Sequence, residues 1–144
     1  MAIRVLTEQK RSFSATTVAI KENDSSKIVV GYYTICPTEV RPERLSSKYS
    51  RAVPKCRPVS AILLCRIARD LQFKGTCLGE ELLIHSLKKC VRHSTELGGY
   101  VVLVDALNKR VAEIYKEYGF KELKDNPLQL AIKMSDIKRN FGII

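Results

Sequence analysis

The stretch Ser60–Gly79 reads SAILLCRIARDLQFKGTCLG. Ser60–Ala68 is an almost continuous apolar run, which is typical of a strand in the middle of a sheet. Two glycines follow in the turn Phe73–Gly79, and from Leu78 onward apolar residues recur at helical spacing. Backbone N–H groups in such a strand–turn–helix connection can face an anion, and the helix dipole adds roughly half a positive charge there. The stretch therefore predicts an α/β fold with a strand–turn–helix connection, and phosphate binding is one reading of its turn.

The turn has two readings at this level. It contains neither the Gly-Lys-Ser/Thr ending of a nucleoside-triphosphate loop nor the G-x-G-x-x-G pattern of a dinucleotide fold. Gly75 and Gly79 allow a ligand to approach the backbone closely, yet glycines also occur in ordinary strand–helix connections. The residues of the turn alone leave both readings open.

The sequence on either side of this stretch predicts a mixed sheet. β-branched and aromatic residues indicate strands, polar clusters indicate turns, and a period of 3.6 indicates helices. The predicted strands are Ser12–Lys21, Lys27–Cys36, Ser60–Ala68, Tyr100–Ala106 and Leu128–Met134. The predicted helices are Leu78–Leu97 and Asn108–Glu117, and Pro37–Pro58 is predicted to be a long polar loop. The first two strands form an antiparallel hairpin around a turn at Asn23–Ser26, and the whole order, β-β-β-α-β-α-β, describes one α/β domain.

Charge is the most informative property of the composition. Among 144 residues, 25 Lys and Arg stand against 15 Asp and Glu, which gives a formal net charge of +10. Such an excess favours a phosphate-bearing or acidic partner, although it also fits a merely soluble basic surface. The excess is uneven, because one segment has a single acid, Glu43, among six basic residues: Arg41, Arg44, Lys48, Arg51, Lys55 and Arg57.

The chain has no stretch that predicts a membrane span or a leader. The apolar runs Ile28–Val30 and Tyr100–Val104 are far too short to cross a bilayer. Met1–Gln9 has neither the basic start nor the cleavage site of a secretory signal. A cytoplasmic protein without membrane contact is therefore expected.

The cysteines and histidines predict neither a metal site nor a disulfide framework. The five cysteines are scattered, with no C-x-x-C motif and no Cys/His cluster. Reduced and mostly buried thiols are expected, above all for Cys65 and Cys90, which lie in apolar patterns. His85 and His93 have no Cys or Asp at catalytic spacing, so no catalytic role is assigned to them.

Four segments resemble the GNAT acyl-CoA N-acetyltransferases, and they occur in that family's order along residues 12–134. Lys74–Gly79 resembles the motif Gln/Arg-x-x-Gly-x-Gly/Ala, whose turn binds the CoA pyrophosphate, with Lys74 and Cys77 replacing Gln/Arg and the first Gly. Three other segments resemble the family's VGYY, GRLAVD and FYxxxGF segments, and they are residues 30–33 (VGYY), 65–70 (CRIARD) and 114–120 (IYKEYGF). Residues 104–108 (VDALN) match the strand end that precedes the last of these segments. The chain is most similar to the TacT-like or AtaT-like toxins of toxin–antitoxin pairs.

The resemblance implies a fold, a co-substrate and roles for particular residues. It implies one GNAT domain over residues 1–144, a mixed and mostly antiparallel sheet flanked by helices, with N-terminal helices shorter than in the family. It implies acetyl-CoA as co-substrate and Tyr115 as the general acid that protonates the departing thiolate. The backbone N–H groups of residues 67–69 would bind the thioester carbonyl oxygen. The cofactor-binding residues implied are Ile67, Ala68, Arg69, Lys74, Gly75, Thr76, Cys77, Leu78, Gly79 and Asn108.

The resemblance also implies an acceptor and partners. The acceptor would be the α-amino group of an aminoacyl-tRNA, held by Arg41, Arg44 and Arg51, and acetylation would block translation. The partners implied are a second copy of the chain and an antitoxin of the ribbon-helix-helix type. Two alternatives remain, namely a GNAT enzyme that acetylates a small amine or a protein N-terminus, and a non-catalytic relative that binds acyl-CoA or RNA.

Overall fold

The computed structural model describes residues 3–8, 14–21 and 28–142 of the chain. The chain divides into two compact units, one made of Met1–Cys36 and Leu64–Ser86 and the other of Pro37–Leu63 and Leu87–Ile144. No helix within the described ranges is both long and apolar enough to span a bilayer.

Seven strands and four α-helices make up the described part of the chain. The strands are β1 (Ile3–Glu8), β2 (Ala15–Lys21), β3 (Val29–Val40), β4 (Val59–Arg69), β5 (Val101–Asp105), β6 (Lys121–Leu123) and β7 (Asn126–Lys133). The helices are α1 (Ser47–Ser50), α2 (Leu78–Leu97), α3 (Lys109–Glu117) and α4 (Met134–Asn140), with short 3-10 helices at Pro42–Arg44 and Leu71–Phe73. The predicted α/β class is confirmed, and so are the helices that begin near Leu78 and Asn108.

The strands are ordered β1-β2-β3-β4-β5-β7-β6 in the sheet. The pairs β1–β2, β2–β3, β5–β7 and β6–β7 are antiparallel. At the beginning of both β4 and β5, Tyr100 N–H donates to the carbonyl oxygen of Ser60 over 2.8 Å. These two strands therefore run parallel, and α2 is the crossover helix that parallel neighbours require. The predicted mixed and mostly antiparallel sheet is confirmed.

The predicted hairpin is confirmed, and the expectation that the first strand begins about ten residues into the chain is wrong. β2 and β3 pair from Ala15 opposite Ile35 to Ala19 opposite Gly31. β1 precedes them and pairs with β2 along its whole length, from Ile3 opposite Lys21. The turn predicted at residues 23–26 lies outside the described residues. The short strand β6 and the C-terminal helix α4 were also not predicted.

In the first unit, a glycine allows α2 to pack closely on β3. A Cβ atom on Gly31 would lie only 2.7 Å from Leu82 Cδ1 and 3.0 Å from the carbonyl oxygen of Ala68. Leu82 is buried on α2, and buried Tyr33 follows Gly31 on the same side of β3. Gly31 is thus required for close packing of strand and helix, and any larger residue would push α2 outward.

In the second unit, the segment predicted as a polar loop, Pro37–Pro58, contributes to the core, so that prediction is wrong. β3 continues through Pro37 to Val40, and a 3-10 helix and α1 follow. Val40, Leu45 and Tyr49 are almost completely buried and pack in one cluster with residues of β4, β5, β6 and β7. Most residues of the segment are polar, so its sequence pattern indicates a loop. The few apolar side chains that pack it against the sheet do not stand out in that pattern.

Candidate active site

The connection between β4 and α2 in the first unit has the local geometry of an anion-binding turn. After β4, Asp70 N–H donates to Val30 O over 2.8 Å, and the Asp70 carboxylate accepts from Gln72 N over 3.0 Å. Gly75 then has a φ of +85°, a conformation that residues with a Cβ rarely adopt, and α2 begins at Leu78. The backbone dihedrals of the turn thus depend on Gly75.

Residues 74–77 of this turn are exposed, and the residue that starts α2 is buried. Lys74, Gly75, Thr76 and Cys77 are exposed, whereas Leu78 is buried. Thr76 Oγ1 accepts from Leu78 N over 3.3 Å, so Thr76 stabilises the start of the helix. Backbone N–H groups at the beginning of an α-helix have no helical partners and favour an anion.

Arg69 adds a cation to the turn, and the sequence had assigned only its backbone. A Cβ atom on Gly79 would lie 3.6 Å from both Cδ and Nε of Arg69. The Arg69 side chain therefore passes over the first turn of α2, where the helix dipole is positive, and Lys74 is exposed nearby in the sequence. The contact depends on the fold, because Arg69 and Gly79 meet only after the intervening turn has formed.

The strand end that should hold the acyl group is half-buried. Ile67, Ala68 and Arg69 are the last residues of β4, and each is partly exposed. Ala68 O lies close to Gly31 of β3, the strand that borders this part of β4 in the first unit. The first unit thus brings together the cofactor-binding residues predicted between Ile67 and Gly79.

Tyr115 lies on α3 in the second unit, in a setting that keeps its hydroxyl protonated. It is 8% exposed, and its ring packs against Phe120 with a centroid distance of 5.2 Å and an interplanar angle of 59°. Burial raises the pKa of Tyr115. Within residues 3–8, 14–21 and 28–142, the hydroxyl of Tyr115 has no hydrogen-bond partner, so its proton is not committed to a structural contact. A buried neutral phenol of this kind can act as a proton donor.

Asn108 starts the helix that carries Tyr115. Its side-chain Oδ1 accepts from Val111 N over 3.0 Å, which is the interaction of a helix N-cap. This contact fixes where α3 begins and how its residues are oriented. The cofactor-binding role implied for Asn108 stays a prediction.

The three arginines predicted to contact tRNA have different surroundings. Arg41 is exposed and pairs with Glu43 over 3.2 Å, and Arg51 is exposed and donates to Ser47 O over 3.1 Å. Arg44 is engaged in the fold, since its Nε donates to Asp125 over 2.8 Å and its Nη2 to Gln129. Arg41 and Arg51 therefore have the more accessible guanidinium groups.

Gln129 links Arg44 by hydrogen bonds to Asp105 at the end of β5. Its Nε2 donates to Asp105 Oδ1 over 2.8 Å, while its Oε1 accepts from Arg44. The chain Arg44–Gln129–Asp105 joins the basic segment to the strand end just before Asn108. The sequence offered no signal for it, because the three residues come from distant segments.

A cavity of about 220 Å³ lies in the first unit between α2 and the β2–β3 pair. It is lined by Thr17, Val18, Ala19, Tyr33, Glu81, Leu82 and His85. The Tyr33 hydroxyl and His85 Nδ1 are 2.7 Å apart. Tyr33 is completely buried, so its contact with His85 gives the buried hydroxyl a polar partner.

The cysteines are less buried than the sequence predicted. Cys90 is buried and burial raises its pKa to about 12, as expected for an inert core thiol. Cys65 is exposed, and so are Cys56 and Cys77, so the expectation of mostly buried thiols is wrong. No cluster of His, Cys, Asp and Glu that could hold a metal is found among the described residues.

Comparisons with known proteins identify the family. No family model matches the chain. A tRNA-acetylating toxin of Mycobacterium tuberculosis is 31% identical over 114 residues, which is 79% of this chain and 68% of that protein. The probable toxin TacT of Sinorhizobium fredii is 29% identical over 133 residues, or 87% of this chain and 73% of that protein. The chain belongs to the tRNA-acetylating toxins of the GNAT fold.

Solved structures agree on the fold of this GNAT toxin. AtaT complexed with acetyl-methionyl-tRNAfMet matches with a TM-score of 0.81 and 24% identity, over 90% of this chain and 76% of that one. AtaTR bound with acetyl-CoA matches with a TM-score of 0.69 and 22% identity, over 90% and 73%. The chain therefore has the fold of the GNAT toxins, as its motifs had indicated.

Proposed function

We propose that this GNAT toxin transfers the acetyl group of acetyl-CoA to the α-amino group of aminoacyl-tRNA and thereby blocks translation. Its 31% identity to a tRNA-acetylating toxin over most of the chain carries the proposal. The net charge of +10 supports a phosphate-rich acceptor over a cationic small amine, which such a surface repels. Once acetylated, the amino acid can no longer act as the nucleophile in peptide-bond formation.

The turn between β4 and α2 is the proposed binding site of the CoA pyrophosphate. The exposed turn at residues 74–77 leads into the N-terminus of α2, whose positive dipole end favours an anion, and Lys74 and Arg69 offer positive charge. Cys77 stands where the family has a glycine, so its side chain is the departure to test for weakened binding. The N–H groups of residues 67–69 would stabilise the oxyanion that forms during transfer.

The chemistry requires one bond to form and one to break. The neutral amine attacks the thioester carbon, the new C–N bond forms, and the C–S bond breaks as the nitrogen loses a proton to solvent. An α-amino group titrates near ~8, so a useful fraction is neutral at neutral pH without a strong base. Tyr115 would give its proton to the CoA thiolate and regain one from solvent, and burial, which raises its pKa, keeps the hydroxyl protonated before the transfer.

The whole protein is proposed to act as one GNAT domain in the cytoplasm, as a homodimer controlled by a ribbon-helix-helix antitoxin. The basic surface would suit an acidic antitoxin segment as well as tRNA, so the two should compete. Sedimentation of the protein alone tests the dimer, and competition between antitoxin and tRNA tests the shared surface.

Incubation of bulk aminoacylated tRNA with labelled acetyl-CoA tests the activity. We expect label in acid-precipitable tRNA, and N-acetyl-aminoacyl-adenosine after nuclease digestion. Uncharged tRNA, polyamines and peptides serve as alternative acceptors in parallel reactions. Label in a polyamine or a peptide N-terminus, with none in tRNA, would overturn the tRNA assignment. Stabilisation by acetyl-CoA without any transfer would make the chain a binding protein.

A further inference from the structure

Two thiols of the first unit lie close together, one on β3 and one on β4. Cys36 Sγ on β3 and Cys65 Sγ on β4 are 3.0 Å apart. Cys65 is exposed and Cys36 is half-buried, so small reagents can reach the pair. The other exposed cysteines, Cys56 and Cys77, lie in a loop and in the phosphate turn.

The strand pairing explains this position. Asp70 at the end of β4 bonds to Val30 at the start of β3, so the two strands run in opposite directions. Cys36 and Cys65 lie further along the same pair of strands, and their sulfur atoms are in contact across it.

We propose that Cys36 and Cys65 form a covalent modification site at which low-molecular-weight disulfides produce a cross-strand disulfide between β3 and β4. The proposal is independent of the acetyl acceptor. A sulfur–sulfur bond of about 2.05 Å needs an approach of only ~1 Å from the observed separation, which strands can supply without repacking. Such transient disulfides are the kind found in reducing compartments.

The reaction balances as two thiol–disulfide exchanges. One thiolate attacks the reagent RSSR, forms a mixed disulfide and releases RS⁻, which takes up a proton. The second cysteine then attacks the mixed disulfide, so that the protein disulfide forms and the second RS⁻ leaves. The two protein thiols lose two electrons, and one RSSR is reduced to two RSH.

The order of attack is assigned from the surroundings of Cys65. Burial and the contact with Cys36 raise the pKa of Cys65 to about 12, so Cys65 is disfavoured as the first nucleophile. Cys36 is therefore the sulfur that attacks first. Once Cys36 is in the mixed disulfide it carries no charge, one cause of the raised pKa of Cys65 is removed, and Cys65 can complete the exchange.

Peptide mapping of the whole chain after oxidation tests the proposal. The protein is equilibrated with excess oxidised glutathione, its remaining thiols are alkylated, and the digest is analysed by mass spectrometry. We expect a linked peptide pair containing Cys36 and Cys65, a protein lighter by two hydrogens at this pair, and reversal by dithiothreitol. Separate glutathione or alkyl adducts on Cys36 and Cys65 would overturn the proposal.

Serine variants give matched controls. Cys65→Ser should stop the reaction at a glutathione adduct on Cys36, whereas Cys56→Ser should form the linked pair as the parent does. A linked pair that joins Cys36 to Cys56 or Cys77 would also contradict the assignment. The wild-type mapping decides the question even if one serine variant fails to fold.

Discussion

The hydroxyl of Tyr115 can be tested separately from its ring. Tyr115→Phe keeps the contact with Phe120 and removes only the proton, so folding and acetyl-CoA affinity should be preserved. Turnover should fall by about 10²–10⁴ if proton donation to the thiolate limits the reaction. Single-turnover acetylation, with acetyl-CoA affinity measured on the same sample, provides the test. Unchanged turnover in the variant would leave Tyr115 as a packing residue only.

The raised pKa of Tyr115 also predicts a pH dependence. A general acid works while it is protonated, so its contribution is present below its pKa and is lost as pH rises through it. Because burial raises this pKa, the loss should begin above the ordinary tyrosine value near ~10. The difference in tyrosinate absorbance between the parent and Tyr115→Phe measures the titration directly, without the alkali-labile tRNA ester. Titration of this difference at or below ~10 would contradict the burial argument.

Two variants of Gly79, matched in size, test whether the turn between β4 and α2 binds the CoA pyrophosphate. A Cβ at this position would make only ordinary contacts with the flexible Arg69 side chain, so substitution should leave the fold intact. Gly79→Glu places a carboxylate where the pyrophosphate should bind, and the rise in melting temperature caused by CoA should disappear. Gly79→Gln has nearly the same size without the charge and should keep more of that rise. Equal losses in the two variants would mean that bulk, rather than charge, governs the site.

Arg69 can be assigned to the phosphates by comparing two acyl donors. Arg69→Ala should weaken acetyl-CoA by about tenfold or more, because a guanidinium–phosphate contact contributes roughly 1.5–3 kcal/mol. Acetyl-pantetheine lacks the pyrophosphate, so its kcat/KM should change little in the same variant. An equal loss of kcat/KM for both donors would show that Arg69 supports the end of β4 and does not bind the phosphates specifically.

At the scale of elements, the segment between β3 and β4 is held by a buried polar contact. The Tyr49 hydroxyl donates to Asp136 on α4 over 2.7 Å, and both residues are buried. Burial, followed by this hydrogen bond, raises the pKa of Tyr49, so the hydroxyl remains a donor throughout the ordinary pH range. Tyr49→Phe should lower the free energy of unfolding by about 1.5–3 kcal/mol, the range for a hydrogen bond to a charged group. Urea denaturation measures this free energy. An unchanged midpoint in the variant would show that the hydrogen bond does not stabilise the fold.

For the whole molecule, the uneven charge predicts how tRNA binding responds to salt. Each phosphate neutralised by a basic side chain contributes a slope of about −0.9 to the logarithm of affinity against the logarithm of salt on a duplex. Replacing the exposed Arg41 and Arg51 with Ala should reduce the slope by about two units and raise the KM for charged tRNA. Acetylation of a small amino-acid ester should hardly change in this variant. A flat salt response in the parent would rule out phosphate contacts by the segment.

Arg44→Ala is the control for the double variant at Arg41 and Arg51, because Arg44 is expected to stabilise the fold and not to bind phosphate. Arg44 is held by Asp125 and Gln129, so its replacement should lower stability more than it changes the salt slope. Charge alone could not separate the three arginines in the sequence, because the partners that hold Arg44, Asp125 and Gln129, lie far along the chain.

The sequence determined the central strand, the glycine turn, the long helix and the order of most elements. These features depend on local patterns: apolar periodicity from Leu78, an Asn at the start of α3, and a turn that needs Gly75. The family also followed from short motifs, because the proposed phosphate-binding turn requires particular residues at close spacing. Sequence patterns predicted the structure correctly wherever residues close together in the chain decide the backbone conformation.

Tertiary structure decided what depends on distant residues. Leu45 and Tyr49 belong to the core although their segment is mostly polar, because a few apolar side chains gain enough from burial to fold it onto the sheet. Arg69 lies over Gly79, and Cys36 faces Cys65, because strand pairing and the turn place them together. Contacts of this kind have no period in the sequence, since they join segments whose separation along the chain is set by the topology of the sheet.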